Sequence, residues 1–153
     1  MNLNDIEEKW RDLYTEFGDR LPYGMECGVG WKPLIFAICY LMKPFPYAKL
    51  VQVKEKFGTL RAYTSNISFV DPESEEETLT TEEQDKQIDE FYISKGAIEF
   101  ASAFVCETCG AYARRRRPDG HWISVVCYEC VSKTEKEFVN EAVDKVDKNV
   151  ANY

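Results

Sequence analysis

The chain has 153 residues, enough for one domain or one domain with a small metal module. Hydrophobic residues make up 44% and aromatics 14%, which excludes wholesale disorder. The net charge of -8 argues against a protein that coats nucleic acid, since such proteins are normally basic.

The opening Met-Asn-Leu-Asn-Asp-Ile-Glu-Glu-Lys-Trp lacks a basic stretch followed by an apolar one, so no secretory signal is expected. A first helix is predicted over Asn4 to Phe17, because Ile6, Trp10, Leu13 and Phe17 line one face. Asn4 suits its N-cap and Gly18 its stop. Residues 18–30 read as a loop, broken by Pro22, Gly24, Gly28 and Gly30. A second helix is predicted from about Trp31 to Lys43, with Pro33 tolerated in its first turn. Its apolar run Leu34 to Met42 is nine residues long, far short of the roughly 20 a membrane span needs. It reads as a central core helix of a soluble, cytoplasmic protein.

Lys49 to Lys56 and Thr59 to Phe69 are rich in strand-forming residues, with Gly58 near the turn between them. They predict a hairpin, although their two-residue period is imperfect. The acidic part of the chain follows. Residues 71–90 hold ten acids and one lysine, a net of -9, which leaves +1 for all the rest. Residues 71–80 have almost nothing to bury and read as a loop. Thr80 and Thr81 each offer a capping-box start, with Glu83 and Gln84 three residues on. A third helix is therefore predicted to about Ala103, with Ile88, Phe91, Ile98 and Ala101 or Ser102 facing inward. A last helix is predicted over about Ser132 to Asn149, with Phe138, Val139, Ala142, Val143, Val146 and Val150 on one side.

Between these helices stands the strongest motif, Cys106-x-x-Cys109-Gly110 followed by Cys127-x-x-Cys130. Two such pairs, seventeen residues apart, have the spacing of a four-thiolate zinc site. Each pair turns tightly enough to aim both sulfurs at one point, and Gly110 relieves the crowding of the first turn. Ala111 to Arg117 and His121 to Val126 are strand-like, with Pro118-Asp119-Gly120 as the turn, which makes the unit a zinc ribbon. Four thiolates leave no open position for water, so the zinc is expected to be structural. Cys27 and Cys39 have no partner motif and read as buried or partly buried thiols.

Arg114, Arg115, Arg116 and Arg117 lie on the first ribbon strand, and Trp122 on the second. Arginine forks beside an aromatic suit phosphate binding and base stacking, or ion pairs with acids. The sole histidine, His121, lies within the ribbon, and no phosphate loop, His-Glu-x-x-His or nucleophile elbow is present. No enzyme is expected.

Gly30-Trp31 with its apolar helix, Gln52-Val-Lys-Glu-Lys-Phe-Gly-Thr-Leu-Arg-Ala-Tyr63, and the helix running into Cys106-x-x-Cys109-Gly110 together carry a resemblance. Residues 27–130 resemble a group of small, largely uncharacterised bacterial and bacteriophage proteins. That group has a Lys-Glu-Lys-Phe-Gly-(Gly)-Leu-Arg-(Phe)-Tyr core and a C-terminal zinc knuckle. Thr59 stands here in place of its second glycine, and Ala62 in place of an aromatic. The resemblance implies phage or prophage origin and no particular activity.

The expected fold is α+β: helices packed on a small antiparallel β-hairpin or sheet, with a four-cysteine zinc ribbon near the C-terminus. The expected layout is a core over 1–105, the ribbon over 106–130, and a helix over 131–153 packed on the body. The expected function is a non-enzymatic interaction protein that binds, and by binding inhibits, a host protein with a basic surface. Glu73, Glu75, Glu76 and Glu77 would supply the contact, because clustered charge steers toward its complement. A nucleic-acid-binding ribbon that uses Arg114 to Arg117 and Trp122 is the alternative, and a metal-dependent enzyme a third.

Overall fold

A computed structural model describes residues 6–75, 79–116 and 123–131. It is α+β, with three helices and two small antiparallel sheets. The proposed cap Asn4 and the predicted last helix lie outside the described residues.

The first helical stretch starts later than its periodicity suggests. Glu7 is non-helical with a ψ of 134°, its carbonyl accepts the Trp10 N–H at 2.9 Å, and a 3-10 turn over Glu8–Trp10 leads into α1 (Arg11–Phe17). Gly18 does not stop it. Its φ of -53° is right-handed, and the chain runs on as a 3-10 turn through Arg20. Arg20 explains the continuation, since its guanidinium donates to the carbonyls of Met42 and Phe45, each at 3.1 Å. Those carbonyls at the end of the second helix and just beyond it thereby gain a charged donor.

A 3-10 turn over Val29–Trp31 opens into α2 (Lys32–Leu41). Trp31, Ile35, Ile38, Cys39 and Met42 are fully buried, so this helix is the centre of the core as expected. Leu13, Tyr14 and Phe17 of α1 bury against the same cluster.

The hairpin pairs β1 (Lys49–Lys56) with β2 (Thr59–Ser65). The register shifts between Leu50 and Gln52, which leaves Val51 as an extra, exposed residue. That bulge is why the two-residue period looked imperfect: Leu50 and Val53, three apart, both face the core. The second strand is shorter than predicted. Asn66 takes a left-handed φ of 55° and turns the chain away. Phe69 then packs on Phe45, with ring centroids 5.0 Å apart.

Of the two possible starts for the third helix, the chain uses the later. The Thr81 hydroxyl accepts the Gln84 N–H at 3.2 Å, and the Gln84 side chain accepts the Thr81 N–H at 3.0 Å. Thr80 instead donates to Asp85. The helix, α3 (Glu82–Ala101), continues as a 3-10 turn to Phe104. Phe91 and Ser102 are buried, whereas Ala101 is exposed.

Side chains of α3 and its 3-10 extension close the free edge of β2. Ser102 Oγ accepts the Leu60 N–H at 2.7 Å, and Glu99 accepts the Ala62 N–H at 2.8 Å. A two-stranded sheet has only edges, and here one of them is satisfied by a helix instead of by water. On the other edge, Glu26 bridges β1 through its backbone to Val53 and Glu55.

The ribbon strands are β3 (Arg114–Arg116) and β4 (Ser124–Val126), paired antiparallel. Arg117, His121 and Trp122 lie outside the described residues, as do the turn residues 118–120. The ribbon shares the main core through Cys106, Ala113, Val125 and Cys127. Among the described residues, no helix is long and apolar enough to cross a membrane.

Candidate metal centre

The first knuckle is built on backbone hydrogen bonds. The Cys106 N–H donates to Ala111 O at 2.7 Å, and the Gly110 N–H returns to Cys106 O at 2.8 Å. Gly110 has a φ of 82°, as the sequence led one to expect of the residue after a tight thiolate pair. The second knuckle follows β4 directly, with Cys130 N–H donating to Cys127 O at 3.2 Å.

These turns bring four sulfurs together. The Sγ atoms of Cys106, Cys109, Cys127 and Cys130 all lie within 4.8 Å of one another, and those of Cys109 and Cys127 are 3.6 Å apart. A tetrahedral ion with metal–sulfur bonds of about 2.3 Å requires sulfurs about 3.8 Å apart. The donor set therefore fits a metal ion with little rearrangement. Among the described residues it is the one group of histidines, cysteines and acids close enough to hold one.

The electrostatics of the cluster favour a cation. Burial works against charge on Cys106, but the backbone N–H groups of Cys127, Cys109 and Thr108 bring its thiol down to about 6. The Cys130 thiol is raised by its neighbours Cys109 and Cys127. Four thiols this close cannot all ionise alone, and a bound cation removes the conflict by displacing their protons.

Cys27 and Cys39 take no part. Burial pushes both thiols up to about 12, helped by Glu107 near Cys27 and Glu16 near Cys39. Cys39 is buried and Cys27 partly buried, as expected of cysteines without a partner motif.

The sequence did not reveal how the first knuckle joins the body. Gly30 N–H donates to Glu107 O at 2.7 Å, and Gly28 N–H to the Glu107 carboxylate at 2.8 Å. The Trp31 indole donates to Val105 O at 2.7 Å. A Cβ on Gly30 would lie 2.1 Å from Cys106 O, and one on Gly28 would lie 2.2 Å from Glu107 O. Residues 28–31 thus form a cradle that only glycine permits. The available signal was the Gly28-x-Gly30-Trp31 spacing, which reads equally well as loop punctuation.

Arg114 and Arg115 stand beside the four-cysteine cluster, not in it. Arg114 and Arg115 are exposed. The aliphatic stem of Arg115 lies against Gly58, where an added Cβ would meet its Cγ at 3.0 Å. Glu73 and Glu75 are exposed, while Glu76 and Glu77 lie outside the described residues. Comparison with known families, with curated proteins and with solved structures finds no match to this chain.

Proposed function

We propose that the chain is a non-enzymatic zinc-ribbon interaction protein, phage or prophage encoded, that binds a host protein with a basic surface. Its metal is zinc, held by Cys106, Cys109, Cys127 and Cys130. Four protein thiolates fill a tetrahedron and leave zinc no site for a reacting water, so the ion stabilises and does not catalyse. The origin rests on the Lys54 to Tyr63 motif, read as resembling phage and prophage proteins.

One observation carries the partner. Glu73, Glu75, Glu82, Glu83, Asp85 and Asp89 are all exposed, at and before the start of α3. The one cation among them, Lys86, reaches Glu90 only at 3.9 Å. Charge this concentrated and this weakly neutralised draws in a basic surface and raises its rate of encounter.

Two measurements test the reading. Purified protein should contain one zinc per chain, and a Cys109→Ser, Cys130→Ser variant should contain none. Stoichiometric zinc in the variant would remove the assignment. For the partner, tagged full-length protein should retain a basic protein from nuclease-treated host lysate. Deleting 73–79 should weaken that capture in low and moderate salt without lowering the melting temperature. Equal capture by the deletion variant would reject the acidic contact.

A further inference from the structure

The hairpin turn contains a residue that local physics disfavours. The two-residue loop is Phe57-Gly58, with φ of 53° and 71°. Positive φ at both positions is the type I′ geometry that matches the twist of a hairpin. Asn-Gly or Gly-Gly suits such a turn, whereas a bulky aromatic in the left-handed region is strained. Phe57 gains no buried contact in return, because 67% of it is exposed. A strained, exposed aromatic at a turn tip is better explained by what it touches outside the fold than by the fold itself.

The face behind the tip has a consistent chemistry. Lys54 pairs across the sheet with Arg61, and Lys56 lies two residues from Lys54 on the same strand, so these three cations share one face of the hairpin. Tyr63 stands on the same face, 42% exposed, with the Lys54 ammonium 5.3 Å from its ring centre. The Lys56 ammonium is 5.7 Å from the Phe57 ring. The Arg115 stem lies against Gly58 and extends the cationic strip onto the ribbon. Among the described residues, none of Lys54, Lys56, Arg61 and Arg115 forms an ion pair. The acid inside the motif, Glu55, is turned to the loop, where it accepts the Gly58 N–H at 2.6 Å. Glu26, at the β1 edge, is occupied by Gln52.

Unpaired cations interleaved with exposed rings fit one kind of ligand, an anionic backbone that carries planar groups. We infer that the outer face of the β1–β2 hairpin binds single-stranded nucleic acid. Lys54, Lys56 and Arg61 hold phosphates, and Phe57 and Tyr63 stack on bases. The surface uses different residues from the acidic contact proposed above, so the two readings fail separately.

The test is an anisotropy titration of a labelled oligothymidylate with the zinc-loaded full chain at several salt concentrations. Binding should be measurable at low salt and fall as salt rises. Replacing Lys54, Lys56 and Arg61 by alanine should reduce the slope of log K against log salt by about 2, since each single-strand phosphate contact contributes about 0.7. Phe57→Asn is the decisive variant. It relieves the turn and should raise the melting temperature, yet it should weaken oligonucleotide binding by about tenfold. A more stable variant with weaker binding cannot be explained by misfolding. No binding at low salt would overturn the inference. So would undiminished binding by Phe57→Asn, or an equal loss of affinity for heparin, a polyanion without bases. The heparin result would instead mark the face as one for an acidic protein.

Discussion

Gly30 and Gly96 show how much a single hydrogen atom can matter, and how little. Both lack a side chain, but their surroundings are opposite. A methyl group on Gly30 would overlap Cys106 O and lie 2.6 Å from Gly110 N, both parts of the metal knuckle. Neither neighbour is a flexible side chain that can give way. Gly30→Ala should therefore push the knuckle off the body, lower the melting temperature and weaken metal retention under chelator challenge. Gly96 lies inside α3 with open space where its methyl would go. Gly96→Ala should stabilise the chain by about 0.4–1 kcal/mol, because alanine lowers the entropy of the unfolded helix segment. Denaturant unfolding of the pair checks both signs. If Gly30→Ala matched wild type in stability and metal retention, the cradle would be incidental. The four cysteines and Gly110 could be read from the sequence because their spacing is set by local turn chemistry. The role of Gly28 and Gly30 could not, because their constraint comes from residues far along the chain, Glu107 lying 79 positions after Gly28.

Among elements, the join between α3 and the hairpin is the most exposed to a single loss. Ser102 is fully buried; its hydroxyl accepts the Leu60 N–H and donates to the Glu99 carbonyl. Ser102→Ala would leave the Leu60 N–H buried without an acceptor. The expected cost is about 1–3 kcal/mol, the desolvation penalty of an orphaned donor. A cost below about 0.5 kcal/mol, measured by urea titration, would show that water replaces the hydroxyl. Here too the sequence was partly informative. The capping box at Thr81 and the core role of α2 follow from patterns within one helix. The bulge at Val51 and the early end of β2 do not, because register is decided by the partner strand and by Phe69 finding Phe45. Gly18 misled for a related reason. Its permissive backbone suits a stop, but Arg20 has carbonyls of a different element to reach.

For the whole molecule, the four-cysteine cluster and the body form one unit. Cys106 is fully buried, and Cys127 and Val125 belong to the same cluster as Trp31 and Ile35. Without an ion the cluster is four crowded thiols at the edge of that core. Chelation should lower the melting temperature of the entire chain in one cooperative transition and leave no folded remainder over α1 and α2. A separate transition that survives chelation would show that the body stands without its knuckle. Charge is arranged on the same scale. A net of -9 over 71–90 sits on a chain that is otherwise +1, and the hairpin cations form no ion pair with any described acid. The total of -8 conceals two surfaces of opposite sign, and salt should act on each in turn.

The cradle at residues 28–31 also has a consequence in time. Its hydrogen bonds span 79 and 74 positions, from Gly28 to Glu107 and from Trp31 to Val105. During synthesis α1, α2 and both strands of the hairpin leave the ribosome well before the first knuckle exists. Non-local closure of this kind is slow, because the chain entropy between the ends is lost before any contact rewards it. Until residues 105–107 emerge, the loop carrying Gly28 and Gly30 has nothing to grip. Over that interval the apolar residues beside the loop lack their final partners, the condition in which chains are prone to aggregate.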